Sequence, residues 1–286
     1  MTTRTLFLLV IIALFVFTVS AQQPDRQKIL DTIEKDGCAQ LEKVKVCKYD
    51  YTVDGNRMEA LSFQPAGEGR FPGLLLIPGY QRSATDYLSL GRILAQQGFA
   101  SVAVTQPSFG KSEGKADFVG PKTLNALTAG FRKFQRESYV DAKKMGIFGY
   151  SRGGMAASLL AVKLKELRAA VLGAGIYDFK RAYDEVTIAG IRENMKAETG
   201  MTDDAIKERS SVLQMEKLRC PVLILHGEKD KNVPVSQALL LRDRLTALKK
   251  EFEIKLFPEA EHSIPTNEWM PLVIDFFNRH LKGVKS

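Results

Sequence analysis

From Gly73 onward, short uninterrupted apolar runs alternate with segments of helical periodicity, and this alternation limits the possible folds more than any other feature. An apolar run of about four to eight residues bounded by turn residues is typical of a buried strand. Helices between such strands provide the crossovers that parallel pairing needs. The predicted strands span residues 73–77, 99–104, 145–148, 168–172, 221–225 and 252–257. The pattern predicts an α/β fold with a mostly parallel central sheet flanked by helices.

Helices are predicted around and between these strands from apolar spacing of three and four residues. They cover residues 24–35, 85–97, 121–138, 153–167, 235–250 and 267–281. Before the first parallel strand, residues 44–53 and 57–64 alternate as strands do and are separated by Asp54-Gly55-Asn56, a turn signal. We therefore expect an N-terminal antiparallel hairpin.

The segment 176–216 breaks the alternation because it is charged, helical and longer than a simple crossover requires. We expect a small helical cap inserted on the core; an ordinary crossover with one extra surface helix is the alternative. Ile188, Ile191 and Met195 form one apolar stripe in this segment. The stripe either lines a substrate pocket or packs on the core.

The first residues have the layout of a secretory signal peptide, with Arg4, an apolar run over 6–17 and small residues before Gln22. The run is shorter than the ~20 apolar residues of a spanning helix. We expect residues 1–21 to be removed and residues 22–286 to form one secreted or periplasmic domain without an integral membrane span. A retained anchor is the alternative.

Three cysteines, Cys38, Cys47 and Cys220, fit no zinc-binding spacing, so no metal is expected. Export would expose them to an oxidising compartment. Cys38 and Cys47 are close enough in sequence to bridge, although two free thiols are the alternative. Cys220 begins an apolar run, where a buried thiol is expected.

The formal net charge is +8, but the basic residues are spread along the chain. Nucleic-acid binding needs a basic block with interleaved aromatic residues, which the sequence lacks. The charge therefore predicts a solvated basic surface and no nucleic-acid partner, with contact to an anionic membrane or polymer as the alternative. The oligomeric state stays open.

Residues 149–153 read Gly-Tyr-Ser-Arg-Gly and fit the pattern G-x-S-x-G. They follow the strand 145–148 and precede a helix, the context in which a tight turn exposes a nucleophilic serine. Bulky side chains at Gly149 and Gly153 would clash in such a turn. Ser151 is therefore the candidate nucleophile; a spectator serine in a glycine-rich turn is the alternative.

A serine nucleophile needs a general base, and the chain has three histidines. His262 lies in the loop after the last strand, at the sheet edge where sites gather, and is the candidate base. His226 ends a strand and is the alternative, while His280 belongs to the last helix. The acid that orients the base is expected at Asp230, just past a strand end, with Glu228 as the alternative.

The tetrahedral intermediate of acyl transfer needs two N–H donors for its oxyanion. The Arg152 N–H begins a helix and is one candidate. The second should come from the loop after strand 73–77, which reads Pro-Gly-Tyr-Gln. Pro78 has no N–H, so Tyr80 is the candidate.

Together, the Pro-Gly-Tyr loop at 78–80, the elbow at 149–154, the stretch HGEKDKNVP at 226–234 and Glu261-His262 resemble the α/β-hydrolase superfamily. The resemblance covers roughly 44–281 and is strongest to the dienelactone-hydrolase-like and prolyl-oligopeptidase-like branches. It implies Ser151, Asp230 and His262 as a catalytic triad, with oxyanion donors at Tyr80 and Arg152. No cofactor is expected. Dienelactone hydrolases typically use a cysteine nucleophile, and prolyl oligopeptidases carry a β-propeller, for which residues 22–72 are too few.

These features predict a serine hydrolase that forms an acyl-enzyme, with a carboxylic ester as the expected small-molecule substrate. A serine peptidase or amidase acting on short peptides is the alternative. A non-catalytic binding module on the same fold is the second alternative.

Overall fold

A computed structural model describes residues 26–284, and the predicted leader lies outside this range. The described residues contain a nine-stranded sheet of order β1-β2-β5-β7-β6-β8-β9-β10-β11 and a two-stranded ribbon of β3 and β4. The strands are β1 Cys38–Leu41, β2 Val44–Lys48, β3 Tyr51–Val53, β4 Asn56–Met58, β5 Ala60–Pro65, β6 Phe71–Ile77, β7 Ala100–Val104, β8 Val140–Tyr150, β9 Leu167–Gly173, β10 Val222–Gly227 and β11 Phe252–Phe257.

Helices cover both faces of this sheet. They are α1 Arg26–Asp36, α2 Leu88–Gln96, α3 Pro121–Gln135, α4 Arg152–Lys163, α5 Phe179–Glu185, α6 Ala189–Thr199, α7 Asp203–Arg209, α8 Ser236–Ala247 and α9 Thr266–Phe277, which a π-helical turn at Asn278–Lys282 continues. In the part of the chain that the structure describes, no helix is both long and apolar enough to span a membrane.

Strands β6 to β11 pair in parallel, which confirms the predicted α/β-hydrolase architecture. In β6, Leu75 and Ile77 join one hydrophobic core, whereas Leu74 and Leu76 join the core on the opposite face. Successive side chains of a strand point to opposite faces, so a sheet covered on both sides needs continuous apolar runs. This is why the uninterrupted runs predicted these strands correctly.

The predicted N-terminal hairpin is present, with β3 and β4 at its tip and β2 paired with β5. The structure adds one strand that the sequence analysis missed, β1, which pairs with β2 at the sheet edge. Cys38 and Cys47 face each other in this pair and form a disulfide, whereas Cys220 is a buried free thiol. Burial raises the pKa of the Cys220 thiol to about 12.

The predicted cap consists of α5, α6, α7 and a 3₁₀ helix at Ser211–Lys217, all inserted between β9 and β10. Two of its helices begin at side chains that cap their first turn: Asp178 accepts from the Arg181 N–H and Thr202 from the Ala205 N–H. Because β9 ends at the carboxyl edge of the sheet, the cap lies over that edge.

Candidate active site

The sharp turn between β8 and α4 positions Ser151. Its backbone has φ 57° and ψ −125°, a conformation that costs energy for a residue with a side chain. A Cβ atom on Gly149 would lie 2.0 Å from the Gly153 carbonyl oxygen, and one on Gly153 would lie 2.0 Å from the Ile77 carbonyl oxygen. Both positions therefore require glycine, as the sequence pattern indicated, and the turn presents the Ser151 hydroxyl at the strand end.

His262 lies in the loop between β11 and α9, and its imidazole ring is hydrogen-bonded to Ser151. Its Nε2 is 2.8 Å from Ser151 Oγ, and its Nδ1 is 2.7 Å from Asp230 Oδ2. The structure thus brings the three residues selected from the sequence into one chain of hydrogen bonds. A histidine held in this way can remove a proton from the serine hydroxyl while the carboxylate stabilises its charged form.

Asp230 is buried just beyond β10, and both of its carboxylate oxygens have partners. Oδ1 accepts hydrogen bonds from the N–H groups of Asn232 and Val233 at 2.8 and 2.9 Å. Burial alone would raise the pKa of this carboxyl group, but hydrogen bonds from the rings of His226 and His262 outweigh it and lower the pKa to about 2. The carboxylate therefore stays charged at neutral pH, as an orienting acid must.

The sequence offered two alternatives near Asp230, namely His226 as the base and Glu228 as the acid. The His226 ring is fully buried, with Nε2 2.9 Å from the Val233 carbonyl oxygen and 3.5 Å from Asp230 Oδ2. It supports the loop that carries Asp230, whereas the ring hydrogen-bonded to Ser151 is that of His262. Glu228 is exposed, so its carboxylate is solvated.

Tyr150 is a positioning residue that the sequence analysis did not identify. Its hydroxyl donates to the His262 carbonyl oxygen at 2.6 Å, and its ring lies edge-on to the imidazole. Burial raises the pKa of Tyr150 to about 12, so the phenol stays protonated and able to donate. The residue before the nucleophile thus holds the loop of the base. The elbow pattern leaves this position unspecified, and the contact joins residues 112 apart in sequence.

The loop after β6 runs beside the nucleophile. A Cβ atom on Gly79 would lie 3.4 Å from Ser151 Cβ and 3.9 Å from its Oγ, so the Tyr80 N–H follows directly after this close approach. Arg152 is the first residue of α4, where N–H groups have no intrahelical acceptor. The two candidate oxyanion donors therefore both lie near Ser151. Arg152 is its neighbour in the sequence, and Tyr80 follows a residue that approaches it in space.

A cleft of about 910 Å³ opens at Ser151 and His262, between the cap and the carboxyl edge of the sheet. Its walls are largely apolar; they include Phe118, Ile176, Ile188, Ile191, Ile264 and Trp269. The predicted stripe, which begins at the residue before α6, is divided between the two roles considered for it. Ile188 and Ile191 line the cleft, whereas Met195 is fully buried in the core.

The parallel sheet, the strained serine turn and the hydrogen-bonded histidine and aspartate together define a serine hydrolase of the α/β-hydrolase superfamily. The sequence profile of the prolyl oligopeptidase family (Peptidase_S9) matches residues 116–284. The chain belongs to this family.

Two curated relatives illustrate the match. The uncharacterized peptidase YtmA of Bacillus subtilis (strain 168) is 32% identical over 225 residues, which cover 76% of this chain and 86% of YtmA. Dipeptidyl-peptidase 5 of Porphyromonas endodontalis is 26% identical over 254 residues, 81% of this chain but 37% of that protein. The chain thus spans most of one relative and little more than a third of the other.

Solved structures share the fold at low sequence identity. An acylaminoacyl peptidase of Pyrococcus horikoshii superposes with a TM-score of 0.75 at 18% identity, covering 86% of this chain and 43% of that one. Acetyl xylan esterase 1 of Thermoanaerobacterium sp. JW/SL YS485 superposes with a TM-score of 0.66 at 19% identity, covering 88% and 91%. These neighbours include both peptidases and esterases.

Proposed function

We propose that this protein is a serine peptidase that cleaves an amide bond of short peptides through an acyl-enzyme. The observation that carries the hydrolytic chemistry is the hydrogen-bonded chain from Ser151 through His262 to Asp230. Peptide substrates are supported by the family and by relatives described as peptidases. The ester preference expected from the sequence is therefore less well supported than the peptidase alternative.

In the proposed reaction, Ser151 Oγ attacks the carbonyl carbon while its proton passes to His262 Nε2. The tetrahedral intermediate then collapses: the C–N bond breaks, and the proton on His262 goes to the departing amine. Water, activated by the same imidazole, releases the acyl group and restores the serine. Asp230 keeps the imidazole in one tautomer and stabilises its charged form.

The oxyanion of the intermediate is proposed to accept hydrogen bonds from the N–H groups of Tyr80 and Arg152. The support is the close approach of Gly79 to Ser151 and the helix start at Arg152. Donors aimed at the developing charge typically contribute a factor of about 10² to 10³ in kcat each.

Ester hydrolysis is the second candidate, because the same residues cleave esters and a structural neighbour of matching length is an acetyl xylan esterase. The two candidates are separated by comparing kcat/KM for aminoacyl- and dipeptidyl-p-nitroanilides with that for short p-nitrophenyl esters. Since p-nitrophenyl esters are chemically the more reactive, rates are compared with the uncatalysed hydrolysis of each compound, with Ser151→Ala as the blank. A larger enhancement for anilides supports the peptidase, and enhancement for esters alone contradicts it.

We also propose that the protein is exported, with residues 1–21 removed. The disulfide between Cys38 and Cys47 supports an oxidising compartment. Mass mapping of the protein from its native host, without reductant, should find an N-terminus at Gln22 and the two cysteines joined. A retained leader, or both cysteines alkylated without reduction, would contradict this proposal.

Substitutions on α6 should distinguish residues that line the substrate cleft from residues that pack in the core. Ile191→Ala enlarges the cleft beside Ser151, so preference should shift toward bulkier acyl groups by roughly 1–3 kcal/mol per methylene of apolar contact. Met195→Ala removes a fully buried side chain and should lower the free energy of unfolding by about 2–5 kcal/mol, with the preference unchanged. Substrate profiles and thermal melting of both variants test this, and the reverse pattern would show the assignment to be wrong.

A further inference from the structure

Helix α6 of the cap carries two polar side chains, Asn194 and Glu198, that contact residues beside the serine turn. They are four residues apart, so they lie on one face of the helix, one turn from each other. Each contacts a different residue beside Ser151: Glu198 binds the side chain of Arg152, and Asn194 binds that of Tyr80. These are the two residues whose N–H groups are proposed to hold the oxyanion.

The contact between Glu198 and Arg152 is a buried two-point ion pair. Arg152 Nη1 donates to Glu198 Oε1 at 3.0 Å, and Nη2 donates to Oε2 at 2.6 Å. The two side chains are 4% and 15% exposed. The guanidinium group also lies over the ring of Phe118, 4.5 Å from its centre, and the Phe118 N–H donates to Glu198 Oε2 at 2.6 Å. A planar fork held in this way has a fixed orientation, so the pair holds the Arg152 side chain in one position.

The contact between Asn194 and Tyr80 is more exposed but equally direct. Asn194 Nδ2 donates to the Tyr80 hydroxyl at 3.1 Å, and the Tyr80 ring lies edge-on to Phe109. Tyr80 is 41% exposed, so packing alone holds its side chain weakly. The Arg152 guanidinium lies 5.7 Å from the centre of the same ring, which joins the two contacts into one cluster.

We propose that α6 sets the geometry of the oxyanion hole, with Glu198 and Asn194 as positioning residues that hold Arg152 and Tyr80 by their side chains. The proposal rests on the proposed function. The physical reason is that oxyanion donors act only within about 2.7–3.1 Å of the developing charge. Displacing a donor by ~1 Å can lower the rate on the order of 10²-fold. A cap helix that holds the side chains of both donor residues can therefore affect kcat.

The first test removes the hydrogen bond between Asn194 and Tyr80 by changing one partner or the other. Tyr80→Phe and Asn194→Ala should each lower kcat about tenfold with KM unchanged, and the double variant should be no slower than either single variant. Non-additivity is expected because both substitutions break the same hydrogen bond. Additive losses, a change confined to KM, or kcat within twofold of wild type would overturn the proposal.

The second test uses the ion pair and a matched control. Glu198→Gln keeps the size of the side chain but removes the charge that holds Arg152, and kcat should fall by about tenfold or more. Glu193→Gln removes a charge from the exposed face of the same helix and should leave kcat unchanged. Equal effects from the two variants would mean that α6 acts only through overall charge. If Glu198→Gln does not fold, the pair Tyr80→Phe and Asn194→Ala still decides the proposal.

A binding measurement distinguishes positioning from a merely structural role. A peptidyl trifluoromethyl ketone accepts Ser151 Oγ at its carbonyl carbon, while the serine proton passes to His262, and so places an oxyanion in the hole. The inhibition constant of the ketone should rise across the variants in proportion to the loss of kcat/KM. The inhibition constant of a cleavage product should not change. A lower melting temperature with an unchanged ketone inhibition constant would overturn the proposal. A wild-type protein that neither cleaves peptides nor reacts at Ser151 would instead contradict the proposed function.

Discussion

Ser151→Ala is expected to lower kcat by a factor on the order of 10⁶ while the protein stays folded. The substitution removes the only atom of the side chain that can attack a carbonyl, and it leaves His262 and Asp230 in place. Alanine keeps the Cβ atom that the strained turn already accommodates, so the melting temperature should change little. Steady-state kinetics on the best anilide of the substrate panel, with circular dichroism of both proteins, measure the effect.

Covalent labelling provides the control for this variant. A fluorophosphonate should modify wild-type Ser151, as peptide mapping would show, and should not modify the alanine variant. Residual activity within tenfold of wild type, or unchanged labelling, would mean that another residue is the nucleophile.

Asp230→Asn is expected to lower kcat on the order of 10⁴-fold, the second-largest effect. The amide nitrogen can donate to His262 Nδ1 and so favours the tautomer whose Nε2 carries the proton. That Nε2 can no longer accept the Ser151 proton, although the two atoms stay 2.8 Å apart. The loss should appear in kcat measured near neutral pH on protein shown to be folded.

Glu228→Gln is the matched control, because it neutralises a carboxylate two residues away that is exposed to solvent. It should change kcat by less than threefold, since a solvated charge interacts weakly with the site. If Glu228→Gln caused the large loss and Asp230→Asn the small one, the acid would have been assigned to the wrong carboxylate.

The sequence allowed the parallel sheet to be predicted and the serine turn to be located because each has a local signature. Buried strands appear as apolar runs, and Ser151 lies in a turn that tolerates only glycine at Gly149 and Gly153. Strand β1 was missed because its four residues, CAQL, contain no alternation long enough to recognise. Its place in the sheet depends on pairing with β2.

The contacts that hold the site together could not be predicted, because they join residues far apart in the chain. Tyr150 reaches the loop of His262, and Glu198 and Asn194 reach Arg152 and Tyr80 from an inserted helix. Only the folded chain brings these partners into contact. The choice between ester and amide also depends on how the cleft holds the leaving group, and the serine turn itself is common to both chemistries.

The order of the site residues along the chain also affects how activity arises during synthesis. The nucleophile follows β8 in the middle of the sequence, whereas the base follows β11, the edge strand that pairs only with β10 among the described strands. A ribosome-bound chain therefore contains Ser151 long before His262 has left the exit tunnel. Throughout that interval the Ser151 hydroxyl has no imidazole to accept its proton and stays a poor nucleophile.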